Sequence, residues 1–388
     1  MSEKDITEEI KYIGVDDKEL ELFENQYILS NGMSYNSYLI KDDKIVIMDT
    51  VDKRKTDEWL NNLEKVLEGR NPDYLVISHL EPDHSGSIGK LLAKYPEMKI
   101  ISNEKVFNMF PQFVDSDIEN KKVVVKEGDT INLGKHILQF IMASMVHWPE
   151  VMLTYEQTEK ILFSADAFGK FGSLDTQEPW IDEARRYFIN IVGKYGMQVQ
   201  NLLKKASNLE INTICPLHGP ILKDNLSYYI NLYDKWSKYE SEEDGILIVC
   251  GSLHGNTYEA AKEFEKDLKE KGNNVKLIDV AKIPTSDIVP EAFKYSKLCI
   301  ACVTYNMNIF PAMDSFIHLL KEKNYQNRKV GIIENGSWAP NAAKIIKEAF
   351  STMKNIEILE PVVTIKTRLN EETRVDMKKL EEAITNKF

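Results

Sequence analysis

The stretch HLEPDHSG, residues 79–86, places His79, Glu81, Asp83 and His84 within six positions. Imidazoles and carboxylates so closely spaced can hold a metal or move protons. Pro82 argues against a helix here and holds Glu81 extended. In an extended loop His79, Glu81 and Asp83 project to one side, so His84 joins them only if the chain bends, for which Gly86 gives freedom. Such a loop can serve two adjacent metals, one through His79 and Glu81, the other through Asp83 and His84. Three further candidates each follow an apolar run: His147 in MVHWPE, Asp166 in FSADAF and His218 in CPLHGP. His136, in a strand pattern, and His318, on a helix, fit surface or core roles better. Three carboxylates and four imidazoles without a thiolate suit iron or manganese as well as zinc. Two ferrous ions, the three carboxylates and one hydroxide bridge sum to zero charge, which makes such a site easier to bury.

A second constellation lies downstream. The apolar run ILIVC leads into GSLHGNT and then a helical pattern, the place where a doubly wound fold binds phosphate on loop amides and a helix N-terminus. Ser252, Asn256 and Thr257 offer side-chain partners, and Gly251 and Gly255 allow close backbone approach. His254 either touches the phosphate or caps the loop. The loop lacks the lysine of a Walker motif, as suits a cofactor phosphate that is held and not transferred. Two more loops follow apolar strands: VTYNMNIFP, with Thr304, Tyr305, Asn306 and Met307, and ENGSWAP, with Asn335, Gly336, Ser337, Trp338 and Ala339. Small polar residues with an aromatic in each can grip a flat ring by stacking and amide contacts.

The elements that must carry these loops fall into two grammars. Up to residue 245, strand-rich stretches alternate with helical ones. Residues 26–51 suggest an antiparallel meander, TDEWLNNLEKVLEG a helix and DYLVIS a buried strand, with more strands across 121–163. Two packed sheets with helices outside follow from that order. The polar stretch KWSKYESEEDG, 235–245, reads as a linker between domains 1–245 and 246–388. Beyond it, five short apolar strands separated by helices spell a doubly wound parallel sheet. The strands are ILIVC, VKLIDV, LCIACV, KVGIIE and EILEPVVTI.

Composition narrows the partners. Acidic residues outnumber basic ones 61 to 49 in 388 residues, a formal charge of −12, which argues against nucleic acid or a membrane surface. No apolar run approaches the roughly 18 residues of a membrane span, and the start, MSEKDITEEI, carries no leader pattern. A cytoplasmic protein is expected. Four cysteines make no disulfide framework. The one C-x-x-C, Cys299 and Cys302, sits in an apolar strand and reads as core.

The order H-x-E-x-D-H, then His147, Asp166 and His218, resembles the metallo-β-lactamase superfamily. With Glu81 in place of that superfamily's second histidine, it is similar to the flavodiiron proteins, which MSYNSYLI, HWPE and the three downstream loops also resemble. The resemblance implies an N-terminal αββα metallo-β-lactamase-like sandwich followed by a flavodoxin-like five-stranded domain. It implies FMN and two non-haem irons: His79, Glu81 and His147 on one, Asp83, His84 and His218 on the other, Asp166 bridging. Trp148 is then read as a pocket wall and Tyr195 as a proton or hydrogen-bond donor, with core packing as their alternative. The implied activity is reduction of dioxygen to water and/or nitric oxide to nitrous oxide. Electrons come from an external donor such as rubredoxin or reduced deazaflavin. A head-to-tail homodimer is implied as well, with the pairing of two such dimers into a tetramer left open. A histidine that some members carry is Asn25 here. A rubredoxin-type iron site needs two C-x-x-C pairs, so the donor is expected to be a separate protein. The rival reading is a zinc hydrolase fused to a flavodoxin-like module, against which Glu81 and the flavin loops speak.

Overall fold

The computed structural model describes residues 5–386. The chain forms two compact units, one running through Phe188 together with Met197–Asp234, the other comprising Ile189–Gly196 and the chain from Lys235 onward.

The first unit is two sheets face to face. One has six strands in the order Ile10–Tyr12, Tyr38–Ile40, Val46–Met48, Tyr74–Val76, Lys99–Ser102 and Lys122–Val124. The other has five: Thr130–Asn132, Ile137–Met142, Met152–Glu156, Ile161–Phe163 and Thr213–Cys215. Side chains from both inner faces make one core, in which Tyr38, Val46, Met48 and Val76 meet Leu138, Phe140, Met152 and Phe163. Helices such as Thr56–Leu67 bury one stripe only, here Trp59, Leu63 and Leu67, as an outer layer does.

Strand direction decides where the site lies. Ile137–Met142 and Met152–Glu156 are antiparallel, as are Met152–Glu156 and Ile161–Phe163, while Ile161–Phe163 and Thr213–Cys215 are parallel. Two reversals restore the direction, so Ile137–Met142, Ile161–Phe163 and Thr213–Cys215 all end at one edge. The loops bearing His147, Asp166 and His218 therefore leave the sheet together. A backbone bond from Met152 N–H to the Ser78 carbonyl, 3.1 Å, brings the chain leading into His79 to the same edge.

Three local expectations are corrected. Pro82–Ser85 is a single helical turn with Pro82 in its first position, where the missing N–H costs nothing. Residues 26–51 are not one meander. Tyr38–Ile40 pairs with Val46–Met48, but Met33–Tyr35 pairs with Val15–Asp17 and Tyr27–Ile28 with Leu22–Phe23. Asn31-Gly32 makes no hairpin because the strands on either side of it pair with different partners, and Gly32, at φ +62, lies too close to the Asp17–Lys18 backbone for a Cβ. The stretch 235–245 is mostly ordered structure: helix Leu226–Ser237 enters it, strand Glu243–Gly251 leaves it, and buried Trp236 donates to Glu242 at 2.7 Å.

The second unit is a parallel sheet in the order Val275–Asp279, Glu243–Gly251, Tyr295–Tyr305, Arg328–Asn335, Ile356–Ile358. Numbered along the chain this is 2-1-3-4-5, the flavodoxin-like doubly wound order. The fifth strand comes in two pieces, Ile356–Ile358 and Val363–Ile365, both parallel to Arg328–Asn335 and flanking Pro361, which cannot donate to a ladder. Helix Thr285–Lys294, absent from the sequence pattern because Pro290 interrupts it, supplies the second crossover. Cys299 and Cys302 are fully buried, and burial pushes the Cys302 thiol up to about 12, which suits core residues. Among the described residues no helix is long and apolar enough to cross a membrane.

Candidate metal centre and flavin cavity

The helical turn at 82–85 supplies the bend that His84 needs. Glu81 is extended before the turn, Asp83 and His84 lie within it, and both face the cluster. Asp49 braces the preceding segment: its Oδ1 accepts the Ser78 N–H at 2.6 Å and its own N–H donates to the Val76 carbonyl. Burial lifts the Asp49 carboxyl to about 6.

The seven predicted residues meet as two groups, His79 with Glu81, His147 and Asp166, and Asp83 with His84 and His218. His147 Nε2 stands 3.1 Å from Glu81 Oε2 and 3.2 Å from Asp166 Oδ2, and His79 Nε2 stands 3.2 Å and 3.5 Å from the same two oxygens. In the second group His84 Nε2 and His218 Nε2 lie 3.3 Å and 3.2 Å from Asp83 Oδ2, and 3.2 Å and 3.7 Å from Asp166 Oδ1. Asp166 thus gives one oxygen to each group.

Most of these atoms lack what buried polar atoms need. Both carboxylate oxygens of Asp83 and of Asp166, and the Nε2 atoms of His84, His147 and His218, are buried without a hydrogen bond. Their lone pairs converge, which is what a pair of cations would satisfy. Protonation shows the same demand for positive charge. Burial opposes protonating His84 and His147, yet the facing carboxylates Asp83 and Asp166, and Asp166 and Glu81, raise both to about 9. Burial likewise works against an ionised Glu81, but His147 and His79 hold its carboxyl low. Protons on imidazole stand in here for metal charge.

Two ligands are oriented from behind. His79 Nδ1 donates to Glu150 Oε1 at 2.7 Å, and His218 Nδ1 to the Ser34 carbonyl at 2.7 Å, leaving each Nε2 for the cluster. The Trp148 ring meets His79 edge-on at 5.1 Å. Tyr195 belongs to the 189–196 segment that clusters with the second unit. Tyr187 and Tyr35 stand at the cluster, their rings 5.6 Å and 6.0 Å from His218, and burial, then Asp166 and Asp83, holds the Tyr187 hydroxyl firmly protonated. Phe23 also stacks edge-on against His218. A cavity of about 480 Å³, bordered by Phe23, Glu24, Asn25 and Tyr35, reaches Glu81 and Asp83. Tyr187, Glu150, Glu24 and Phe23 escaped sequence reasoning. The only signal for Glu150 was its place two residues beyond Trp148 in HWPE.

In the second unit a cavity of about 490 Å³ opens at the sheet's C-terminal edge. Ser252, His254, Asn256, Thr257, Thr304, Tyr305, Asn306, Met307, Asn335, Gly336, Ser337, Trp338 and Ala339 line it. Gly255 does not. It caps helix Asn256–Glu270 at φ +96, and its N–H donates to Ser252 Oγ at 3.2 Å. Thr367, beyond the fifth strand, is an addition: its N–H donates to Asn335 Oδ1 and its hydroxyl pairs with Ser337. The volume suits one cofactor-sized ligand. The phosphate end presents hydroxyls, amides and a helix N-terminus without a lysine, and the far end presents Tyr305 and Trp338, the latter 90% exposed.

A β-lactamase-type sandwich with a two-metal ligand set, joined to a flavodoxin-like sheet, defines a metal-dependent flavoprotein. Comparison with known proteins agrees. Residues 33–219 match the ODP family beta lactamase model, and residues 248–379 match flavodoxin. An uncharacterized protein of Methanocaldococcus jannaschii is 32% identical over 351 residues, 89% of this chain and 88% of that one. The anaerobic nitric oxide reductase flavorubredoxin of Salmonella paratyphi B is 29% identical over 86% of this chain and 72% of its own. Among solved structures, the rubredoxin oxygen:oxidoreductase of Desulfovibrio gigas superposes with a TM-score of 0.90 at 25% identity, covering 98% of this chain and 96% of that one. The chain belongs to the flavodiiron proteins, the family whose cofactors are FMN and a non-haem diiron pair.

Proposed function

We propose that this protein reduces dioxygen to water, nitric oxide to nitrous oxide, or both, with electrons that an external donor delivers through FMN. When bound, one iron would be held by His79, Glu81 and His147 and the other by Asp83, His84 and His218, with Asp166 offering an oxygen to each. The observation that carries this reading is the pair of buried ligand groups sharing Asp166, with unsatisfied lone pairs and no thiolate. When bound, the diferrous pair and reduced FMN together supply the four electrons that turn dioxygen into water, or two for each coupled pair of nitric oxide molecules. Hydrolysis needs no flavin.

The chain's own residues do the rest. Glu150 and the Ser34 carbonyl fix two imidazoles with Nε2 inward. Phe23, Tyr35, Trp148 and Tyr187 pack against ligand rings and keep bulk water off them. Tyr187 keeps its proton and so serves as a hydrogen-bond donor beside the centre. Ser252, Asn256 and Thr257 would hold the FMN phosphate, and Tyr305 and Trp338 would border its ring. A rubredoxin-type protein, as in the name of the Desulfovibrio gigas relative, or reduced deazaflavin, fits as donor. Exposed Trp338, Met307 and Leu253 at the flavin rim fit a face covered by a second copy in a head-to-tail dimer.

The test is to reduce the iron- and FMN-loaded protein anaerobically with excess donor and then add dioxygen and nitric oxide separately. Catalytic consumption of at least one gas is the expected result. Two zincs per chain, with ester or lactam hydrolysis and no gas consumption, would overturn it.

A further inference from the structure

His136 directly precedes strand Ile137–Met142, whose far end leads to His147, so it sits at the edge of the first unit opposite the diiron ligands. Its ring is fully buried. Nδ1 lies 2.8 Å from Asp42 Oδ2, which also accepts the His136 backbone N–H at 2.7 Å. Burial would raise the Asp42 carboxyl, but the N–H groups of His136, Lys135 and Asp43 hold it at about 2. Asp42 is therefore an acceptor for Nδ1–H, which leaves Nε2 as the ring nitrogen turned away from it. Nε2 is buried and makes no hydrogen bond.

It faces two carboxylates. Glu159 Oε1 is 3.7 Å from Nε2, Glu159 Oε2 is itself buried without a hydrogen bond, and Glu9 completes a set of three ligand atoms within 4.8 Å of one another. A histidine that donates one nitrogen to a carboxylate and turns the other toward further ligands is the arrangement found behind metal sites. Lys135 now lies between the two glutamates, its Nζ 3.0 Å from Glu9 and 3.3 Å from Glu159. Its side chain is half-exposed.

We propose that Glu9, His136 and Glu159 form a third metal site, which takes a divalent ion of the zinc class and displaces the Lys135 ammonium. One imidazole, two carboxylates and a water complete four-coordination for such an ion. The site would tie Glu9, next to the edge strand Ile10–Tyr12 of the six-stranded sheet, to the turn after Met152–Glu156 in the other sheet, a clamp at the end of the sandwich remote from the chemistry.

The reading rests on residues outside the diiron and flavin sites, so its test is separate. The protein carrying FMN and both irons is titrated with Zn²⁺ against a chromogenic chelator under argon, and zinc and iron per chain are counted after desalting. One zinc is expected to add to the two irons. K135M, which removes the competing cation, should tighten zinc about tenfold or more, and the E9Q/E159Q double variant should lose it by about a hundredfold while keeping iron and flavin. Three results would overturn the proposal: no added zinc in either the native protein or K135M, zinc uptake unchanged in the double variant, or zinc that enters only as iron leaves. K135M decides the matter even if the double variant fails to fold.

Discussion

Glu150 is the sharpest probe of the metal centre because it touches no metal. Its Oε1 accepts the His79 ring N–H at 2.7 Å and the Leu80 N–H at 3.1 Å, and the side chain is buried. Burial would raise its carboxyl, but the His79 bond and charge hold it ionised. E150Q keeps the shape and removes the charge. A charge-assisted hydrogen bond is worth about 1.5–3 kcal/mol against about 1 for a neutral one, so the His79 anchor weakens by roughly 1–2 kcal/mol. The glutamine N–H₂ also comes to lie where Oε2 has no partner. Together these effects predict a loss of about 10–100-fold in affinity for the iron bound through His79, with the second iron and the flavin retained. Competition with a ferrous chelator, followed by iron and flavin counts, measures it. If E150Q holds both irons as tightly as the native protein, Glu150 does not orient His79 and the reasoning fails.

Three further expectations follow from the same geometry. D166N should weaken both irons by roughly a hundredfold or more, because its two oxygens serve both groups, and iron counts that fall at only one site would contradict the bridging role. T257V should lower FMN affinity about tenfold, near 1.4 kcal/mol, by removing a cavity hydroxyl that also meets Asn335 at 3.2 Å; flavin fluorescence titration reads it, and an unchanged affinity counts against the phosphate assignment. The iron-free protein should be most stable near pH 5–6.5. His84 and His147, at about 9 when folded against about 6.5 unfolded, contribute fully below pH 6.5 and lose that contribution as pH rises through 9. A few kcal/mol are at stake, so the apo melting temperature should drop roughly 5–10 °C between pH 6.5 and 9, while the iron-loaded protein shows no such drop. A flat apo profile would contradict the ion-pair network.

Ligands placed at strand ends were legible because an apolar run that stops at a histidine or aspartate reports both the strand and its exit. His147, Asp166 and His218 were each of this kind. The turn at 82–85 was hidden because proline is hostile inside a helix yet welcome in its first position, and only the backbone distinguishes the two. Asp49, Glu150 and Tyr187 act through partners 29, 71 and 31 positions away, and no local pattern marks such pairs. In the second unit the loops after the first, third and fourth strands were readable from composition. Thr367 was not, because its role comes from pairing across to Asn335 and Ser337. Tyr187 carries no local mark either, because its contact with His218 joins a helix to a distant loop.

The proposed reaction requires the loaded protein to couple a two-electron flavin to a two-electron metal pair. An anaerobic reductive titration of the iron- and FMN-loaded protein, followed by mixing with a limiting amount of dioxygen, tests it most directly. Four electrons per chain on reduction, and one dioxygen consumed per fully reduced chain without release of hydrogen peroxide, is the predicted result. Two electrons per chain, confined to the flavin, with hydrogen peroxide as the product, would contradict it.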